Sequence, residues 1–411
     1  CLDGLLFPER TPKPALWEHR QLAAPVRVGA TPRMLAVHQV QVENRAEARR
    51  LDWLTAPWEV AEDGRPIESG PLPLPDLAPG ARAPATVPWT STGSAGDGER
   101  WLTIRFRTVE PSGWAPAGFE VAWAQFRLDR PTRGAAPAAA AGPGPGSVAR
   151  PAAIPLDADG LLVHPLLAAP PTISLWRAPT DNDRIGGMAD AWAAWGLDGL
   201  DRHLVSIARA PGTVTVRSVY TTGGGHRVPH RQTIARLADG GFEVAEAVTI
   251  PAALRDVPRV GSVCELAAGL EHLTWFGTGP HETYPDRARG AQVGRWVSTV
   301  ADQTVPYIRP QENGGHAAVR WLEVRDRDRR RGLRLELDRP RQVSATHYRD
   351  ADLARATHFD ELTPQATTIL HVDAAHRGLG TASCGPDTLP EYLMGPGRYR
   401  WVWRLGPLEG G

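Results

Sequence analysis

Trp101-Leu-Thr-Ile-Arg-Phe-Arg-Thr-Val109 alternates apolar with polar side chains, the period of a strand with one face buried. Phe119-Glu-Val-Ala-Trp-Ala-Gln-Phe-Arg-Leu128 repeats the pattern, and Leu35-Ala-Val-His-Gln-Val-Gln-Val42 is a third β-rich run. Asn44, Asp63-Gly64 and the Pro-rich stretch 71–80 punctuate these runs as turns, because Asn, Asp, Gly and Pro each favour turn backbone. Glu43-Asn44 followed by Trp53-Leu-Thr-Ala-Pro-Trp58 reads as strand–turn–strand. Short strands separated by such turns predict an immunoglobulin-like β-sandwich over residues 24–130.

Residues 131–150 are an Ala, Pro and Gly run that buries little apolar surface and reads as a flexible linker. Beyond it, 151–411 is again β-rich: Gly212–Tyr220, Gly241–Ile250, Gly332–Leu337 and Tyr399–Arg404. One short helix is predicted from Ala189 to Gly196, carrying Trp192 and Trp195. The predicted class is all-β, with a second, larger terminal β-sandwich.

The chain has 411 residues, enough for two or three domains, and 46 basic residues balance 46 acidic ones. That balance lacks the positive excess expected of a nucleic-acid binder. All basic residues but Lys13 are Arg, which fits a GC-rich coding bias better than a recognition surface. Three cysteines, Cys1, Cys264 and Cys384, are too few for a disulfide framework and favour a reducing, cytoplasmic setting. No apolar run approaches the length of a membrane span. His226 and His230 stand four apart, but Val228-Pro229 interrupts the helix that metal ligation at that spacing needs. The 15 Trp residues fall mostly within strands, where core packing is the default.

Four segments carry more than fold information. Trp176-Arg-Ala-Pro-Thr-Asp-Asn-Asp183 runs into Gly186-Gly187 and reads as an irregular Asx-rich loop, neither helix nor strand. Trp275-Phe-Gly-Thr-Gly-Pro-His-Glu-Thr-Tyr-Pro-Asp-Arg287 and Pro306-Tyr-Ile-Arg-Pro-Gln-Glu-Asn-Gly314 follow, and Asp3-Gly-Leu-Leu-Phe-Pro-Glu-Arg-Thr-Pro-Lys-Pro-Ala-Leu16 stands at the front. In this order they resemble the part of large bacterial β-galactosidases, of glycoside hydrolase family 2, that follows the catalytic barrel. The resemblance implies a barrel-exit segment over 1–23, the immunoglobulin-like domain, the linker, and a terminal small-chain-like, galactose-mutarotase-like sandwich over 151–411. It implies part of an enzyme that hydrolyses terminal β-D-galactosides of the lactose type with retention and forms homo-oligomers. The chain opens on Cys1 and not on Met, so it is read as the carboxy-terminal part of a longer enzyme.

Retaining glycoside hydrolysis uses two carboxyl groups about 5–5.5 Å apart. The resemblance puts both catalytic glutamates, and the magnesium ligands, on the barrel outside this chain, which is then inactive by itself. Glu282 and Glu312 are the internal candidates, with structural carboxylates holding loop N–H groups as the commoner role. Asp3 is implied as a sodium ligand completed by the barrel, or else is a turn residue. Asp183, Gly186 and Gly187 are implied in a loop near the substrate, with Gly186 as a hinge; a tight turn with Asx caps is the alternative. Arg177 is a candidate partner for one of these carboxylates. Cys384 occupies a second such loop, where some family members carry a Trp, so a stacking platform for the sugar is weakened here. Two other readings remain: a non-catalytic carbohydrate-binding or complementing small subunit, and a sugar epimerase resembling aldose 1-epimerases. The epimerase needs a converging His and Glu pair that no motif singles out.

Overall fold

The computed structural model describes residues 4–90, 98–129 and 153–409; Asp3, Cys1 and the stretch 131–150 lie outside them. Two compact units are present. The smaller comprises the described residues up to 129 together with Arg289–Arg295, and the larger comprises the remainder.

In the smaller unit, a three-stranded antiparallel sheet (Val26–Gly29, Gln39–Asn44, Arg82–Thr86) accompanies a five-stranded one built on Arg100–Thr108. Arg100–Thr108 pairs with Pro57–Glu62, Leu54–Thr55 and Glu120–Arg127. The predicted alternation is realised: Leu102, Ile104 and Phe106 are fully buried with Val40, Val42 and Val60. Asp63 and Gly64 both take positive φ (48° and 75°), and such a two-residue turn matches the twist of the hairpin it closes.

Two expectations fail here. Leu35-Ala36 is not strand but the end of a short helix, Pro32–Ala36. Thr31 accepts the Met34 N–H at 3.3 Å and Pro32 is preset for a helix start, so a local cap outweighs a β-rich composition. The strand begins only at Gln39. Glu43-Asn44 and Trp53–Trp58 form no hairpin, since their strands belong to different sheets. The buried Asn44 amide instead donates to Arg49 O and Leu77 O, pinning the chain that crosses between them.

The larger unit is one 12-stranded antiparallel sheet curled into two layers. Its path runs Leu200–Ala210, Thr213–Thr222, Arg227–Arg236, Phe242–Ile250, Gly397–Glu409, Arg331–Thr346, Gly315–Asp326, Leu270–Gly279, Gln292–Thr299. The 16-residue strand Arg331–Thr346 makes the turn between layers. Its first half pairs with Gly397–Glu409 and its last five residues with Thr368–His376, which continues to Arg259–Leu266 and Leu167–Ser174. Bulges at His316/Val319 and Val319/Trp321 supply the bend. Trp192, Trp275, Trp401 and Trp403 fill the space between the layers. The predicted helix is present as Met188–Trp195, ending at Gly196.

Candidate functional site

The larger unit gathers its three sequence motifs into one buried polar knot, and Arg177 is its centre. That side chain, with no solvent exposure, donates from Nε to Asp183 Oδ2 at 3.1 Å and from Nη2 to Asp183 Oδ1 at 2.7 Å. Its remaining donors reach Arg377 O (2.8 Å) and Gly378 O (3.0 Å). The carboxylate is aimed by a capping box, which corrects the reading of this stretch as an irregular loop. Asp181–Ile185 is a turn of helix in which Thr180 Oγ1 receives the Asp183 N–H while Asp183 Oδ2 receives the Thr180 N–H. The Thr-x-x-Asp spacing carried that signal.

The helical turn brings the two predicted loops together. Asn182 Nδ2 donates to Gly380 O at 2.7 Å, and Asn182 Oδ1 accepts the Ser383 N–H (3.0 Å) and hydroxyl (2.6 Å). A Cβ on Gly186 would lie 3.0 Å from Ala382 Cβ and 2.9 Å from Asn182 O, so this glycine is needed for close approach, at an ordinary helical φ of −72°. Gly187, at φ 80°, supplies the reversal into the next helix. From the other side, Asp286 accepts the N–H groups of Leu379 (2.9 Å) and Gly380 (2.7 Å). Arg377 ties the far end of the loop to Asp256 and Asp387. Cys384 sits exposed on the turn of this loop, with its N–H bonded to Thr381 O, and Ile185 beside Gly186 is 61% exposed.

Glu282 and Glu312 face inward, at 6% and 5% exposure. Glu282 accepts the Gly314 N–H (2.7 Å), the Tyr307 hydroxyl (2.6 Å) and Arg287. It is therefore a carboxylate holding loop backbone, as its motif suggested. Glu312 differs, holding a side chain instead: Arg259 Nη2 lies 2.9 Å away. Arg259 also reaches Asp373 (3.1 Å), Asp350 (3.3 Å) and His371 Nδ1 (3.1 Å), so three acids share one guanidinium. Burial pushes Asp373 and Asp350 up to about 7 against the pull of Arg259, and raises Glu312 as well. Burial, reinforced by Arg259, drives His371 and His376 well below the ordinary histidine range, so both are neutral.

The structure does contain close His–Glu pairs that the sequence did not reveal. His230 Nε2 lies 2.8 Å from Glu246 and His376 Nε2 lies 3.8 Å from Glu312. Every member is under 8% exposed, and Glu246 is further held by Ser262 and Trp403 inside the core. Such pairs brace the fold and offer a sugar no access. Arg259, Arg377 and Asp373 were also missed, since a lone Arg or Asp in a strand carries no local signature. Among the described residues no group of His, Cys, Asp and Glu is arranged to hold a metal ion, and no described helix is long and apolar enough to cross a membrane.

Residues 157–405 match the family model described as beta galactosidase small chain, and residues 40–129 match beta-galactosidase, domain 4. A beta-galactosidase of Arthrobacter sp. (strain B7) is 30% identical over 98% of this chain and 43% of its own length. Beta-galactosidase 2 of Enterobacter cloacae is 30% identical over 99% of this chain and 41% of its own. The chain thus spans about two fifths of the relatives it matches. Among solved structures, a putative aldose 1-epimerase from Escherichia coli K12 is 13% identical with a TM-score of 0.27, covering 51% of this chain and 69% of that one.

Proposed function

Because the chain belongs to the beta galactosidase small chain family, we propose that it works as part of a β-galactosidase that cleaves terminal β-D-galactosides of the lactose type with retention. In this reading both catalytic carboxylates lie in the portion of the relatives that this chain does not span. The chain itself contributes the mouth of the pocket and subunit assembly, and is inactive alone. One observation carries the proposal: the loop around Asp183–Gly187 and the loop 378–388 meet through Asn182 and are fixed from behind by Arg177 and Asp286. A knot so heavily braced spends its rigidity on presenting an exposed rim, which here includes Ile185 and Cys384. The inward engagement of Glu282 and Glu312 supports assigning the carboxylate chemistry elsewhere. A cytoplasmic site, homo-oligomers and ligation of sodium by Asp3 belong to the same reading. Both ions would depend on ligands outside the described residues, among which no group of three or more His, Cys, Asp and Glu could hold a metal.

The test uses the exposed Cys384 thiol. Its alkylation, read by peptide mapping, should slow when a separately expressed barrel portion of a relative is added, and slow further with a galactose-based inhibitor. Unchanged alkylation in both cases would remove this loop from the pocket mouth.

A further inference from the structure

The outer face of the large sheet carries an arginine row that the site above does not use. Cross-strand register places Arg217 directly opposite Arg231, Arg231 opposite Ala247, and Ala247 opposite Arg400. Directly paired residues share a face, and these alternate with the buried Val216, Gln232, Val248 and Trp401. Adjacent strands lie about 4.8 Å apart, so the three guanidinium groups span roughly 14 Å across four strands, with the small Ala247 leaving a notch. All three arginines are exposed, as are Arg398, one step along the same face from Arg400, and Arg227, two steps from Arg231. Among the described residues, none of the three guanidinium groups in the row has an ion-pair or hydrogen-bond partner.

Like charges directly opposite one another on a sheet are destabilising, and this sheet neutralises them elsewhere. On the same face Arg404 pairs with Glu243, and Arg334 pairs with Glu323 and Glu336. The residues flanking the row are Thr215, Val219, Pro229, Thr233, Ala245, Thr249 and Val402. Of the acids nearby, Asp338 is taken by Arg341, which also donates to the Arg400 carbonyl, and Asp201 on the edge strand is beside His203. A coding bias towards Arg explains why these positions are not Lys. It does not explain an uncompensated row.

We propose that this face docks an acidic polypeptide segment of a partner protein, its Asp and Glu carboxylates bridging Arg217, Arg231 and Arg400. The chemistry selects that occupant. Guanidinium groups take carboxylates in two-point contacts. None of Thr215, Val219, Pro229, Thr233, Ala245, Thr249 and Val402, which flank the row, is aromatic, so a base or a neutral sugar ring has nothing beside the row to stack on. Farther along the face Trp321 already carries Arg334, 4.4 Å over its ring. The neutral balance of the chain as a whole disfavours general polyanion binding.

The probe is a fluorescein-labelled oligoglutamate peptide titrated with the full 411-residue chain at low salt and read by anisotropy. The row variant R217Q/R231Q/R400Q is compared with R327Q/R329Q/R330Q, which removes equal charge from the exposed hairpin tip before Arg331. Both sets of positions are exposed, and matching thermal midpoints would confirm that both variants fold. The row variant should bind about tenfold or more weakly than the parent, a difference of about 1.4 kcal/mol, while the tip variant should change little. Equal losses in the two variants, absence of binding to the parent, or tighter row-dependent binding of oligo-dT or a sulfated oligosaccharide would each overturn the proposal. So would row-dependent self-association of the chain in sedimentation, which would make a second copy the occupant.

Discussion

Arg177 and Asp183 form a two-point ion pair, at 2.7 and 3.1 Å, with neither side chain exposed to solvent. Six residues apart in sequence, they close a loop whose other contacts, made by Arg177, reach residues 377 and 378, 200 and 201 positions later.

Removing one partner leaves the other charge buried and uncompensated, which costs about 3–5 kcal/mol. Asp183→Ala should lower the unfolding free energy of the larger unit by that amount in urea titrations. The pair replacement Arg177→Met with Asp183→Leu should recover part of it. A loss below about 1 kcal/mol in Asp183→Ala would mean that the pair is not the anchor described here.

Asp286 and Asn182 hold the loop 378–388 from opposite sides. Asp286→Asn substitutes an amide for one acceptor oxygen, and Asn182→Ala removes the contact to Gly380 and Ser383. Hydrogen exchange at residues 379–385 should rise about tenfold or more in either variant while the sheet core stays protected. In a complemented enzyme the same changes should raise KM more than they lower kcat. Unaltered exchange would detach the loop from these two side chains.

Gly186 and Gly187 differ in what they tolerate. Gly186→Ala pushes a Cβ against Ala382 and Asn182 O, so it should displace the 380–386 loop and cost about 1–3 kcal/mol. Gly187→Ala meets no neighbour but must hold a φ of 80°, a strain of about 1–2 kcal/mol. Thermal midpoints should fall in both, and only Gly186→Ala should change Cys384 alkylation. A shift of Cys384 reactivity in Gly187→Ala alone would reverse this assignment.

The acids around Arg259 make stability depend on pH. Asp350 and Asp373 have folded values near 7, above the ordinary aspartate range. Their contribution is therefore fully present below about pH 4 and is lost as pH rises through 7. Between pH 5.5 and 8.5 the unfolding free energy should fall by on the order of 1–3 kcal/mol, and Asp373→Asn should flatten that slope. A flat profile in the parent would show that burial does not raise these two acids.

Strand alternation made much of the architecture legible, because Leu102, Ile104 and Phe106 or Val244 and Val248 announce their faces locally. Local capping signals were present as well: Thr31-Pro32 starts a helix that runs into the β-rich stretch at Leu35, and the Thr180–Asp183 spacing starts one inside a stretch read as loop. What the sequence hid was convergence. The meeting of Arg259 with Glu312, Asp350 and Asp373 depends on a sheet curling back on itself, and no window of residues contains all four. The motifs around Asp286 and Asn182 were visible as motifs, yet their bond partners at 379–383 follow only from the fold.

The most direct measurement is hydrolysis of a chromogenic β-galactoside by the purified chain, alone and mixed with a separately expressed barrel portion of a relative. The account predicts no turnover alone and turnover in the mixture that falls when Asn182 or Asp286 is replaced. Turnover by the chain alone, abolished by Glu282→Gln or Glu312→Gln, would contradict it and place the catalytic carboxyl pair within this chain.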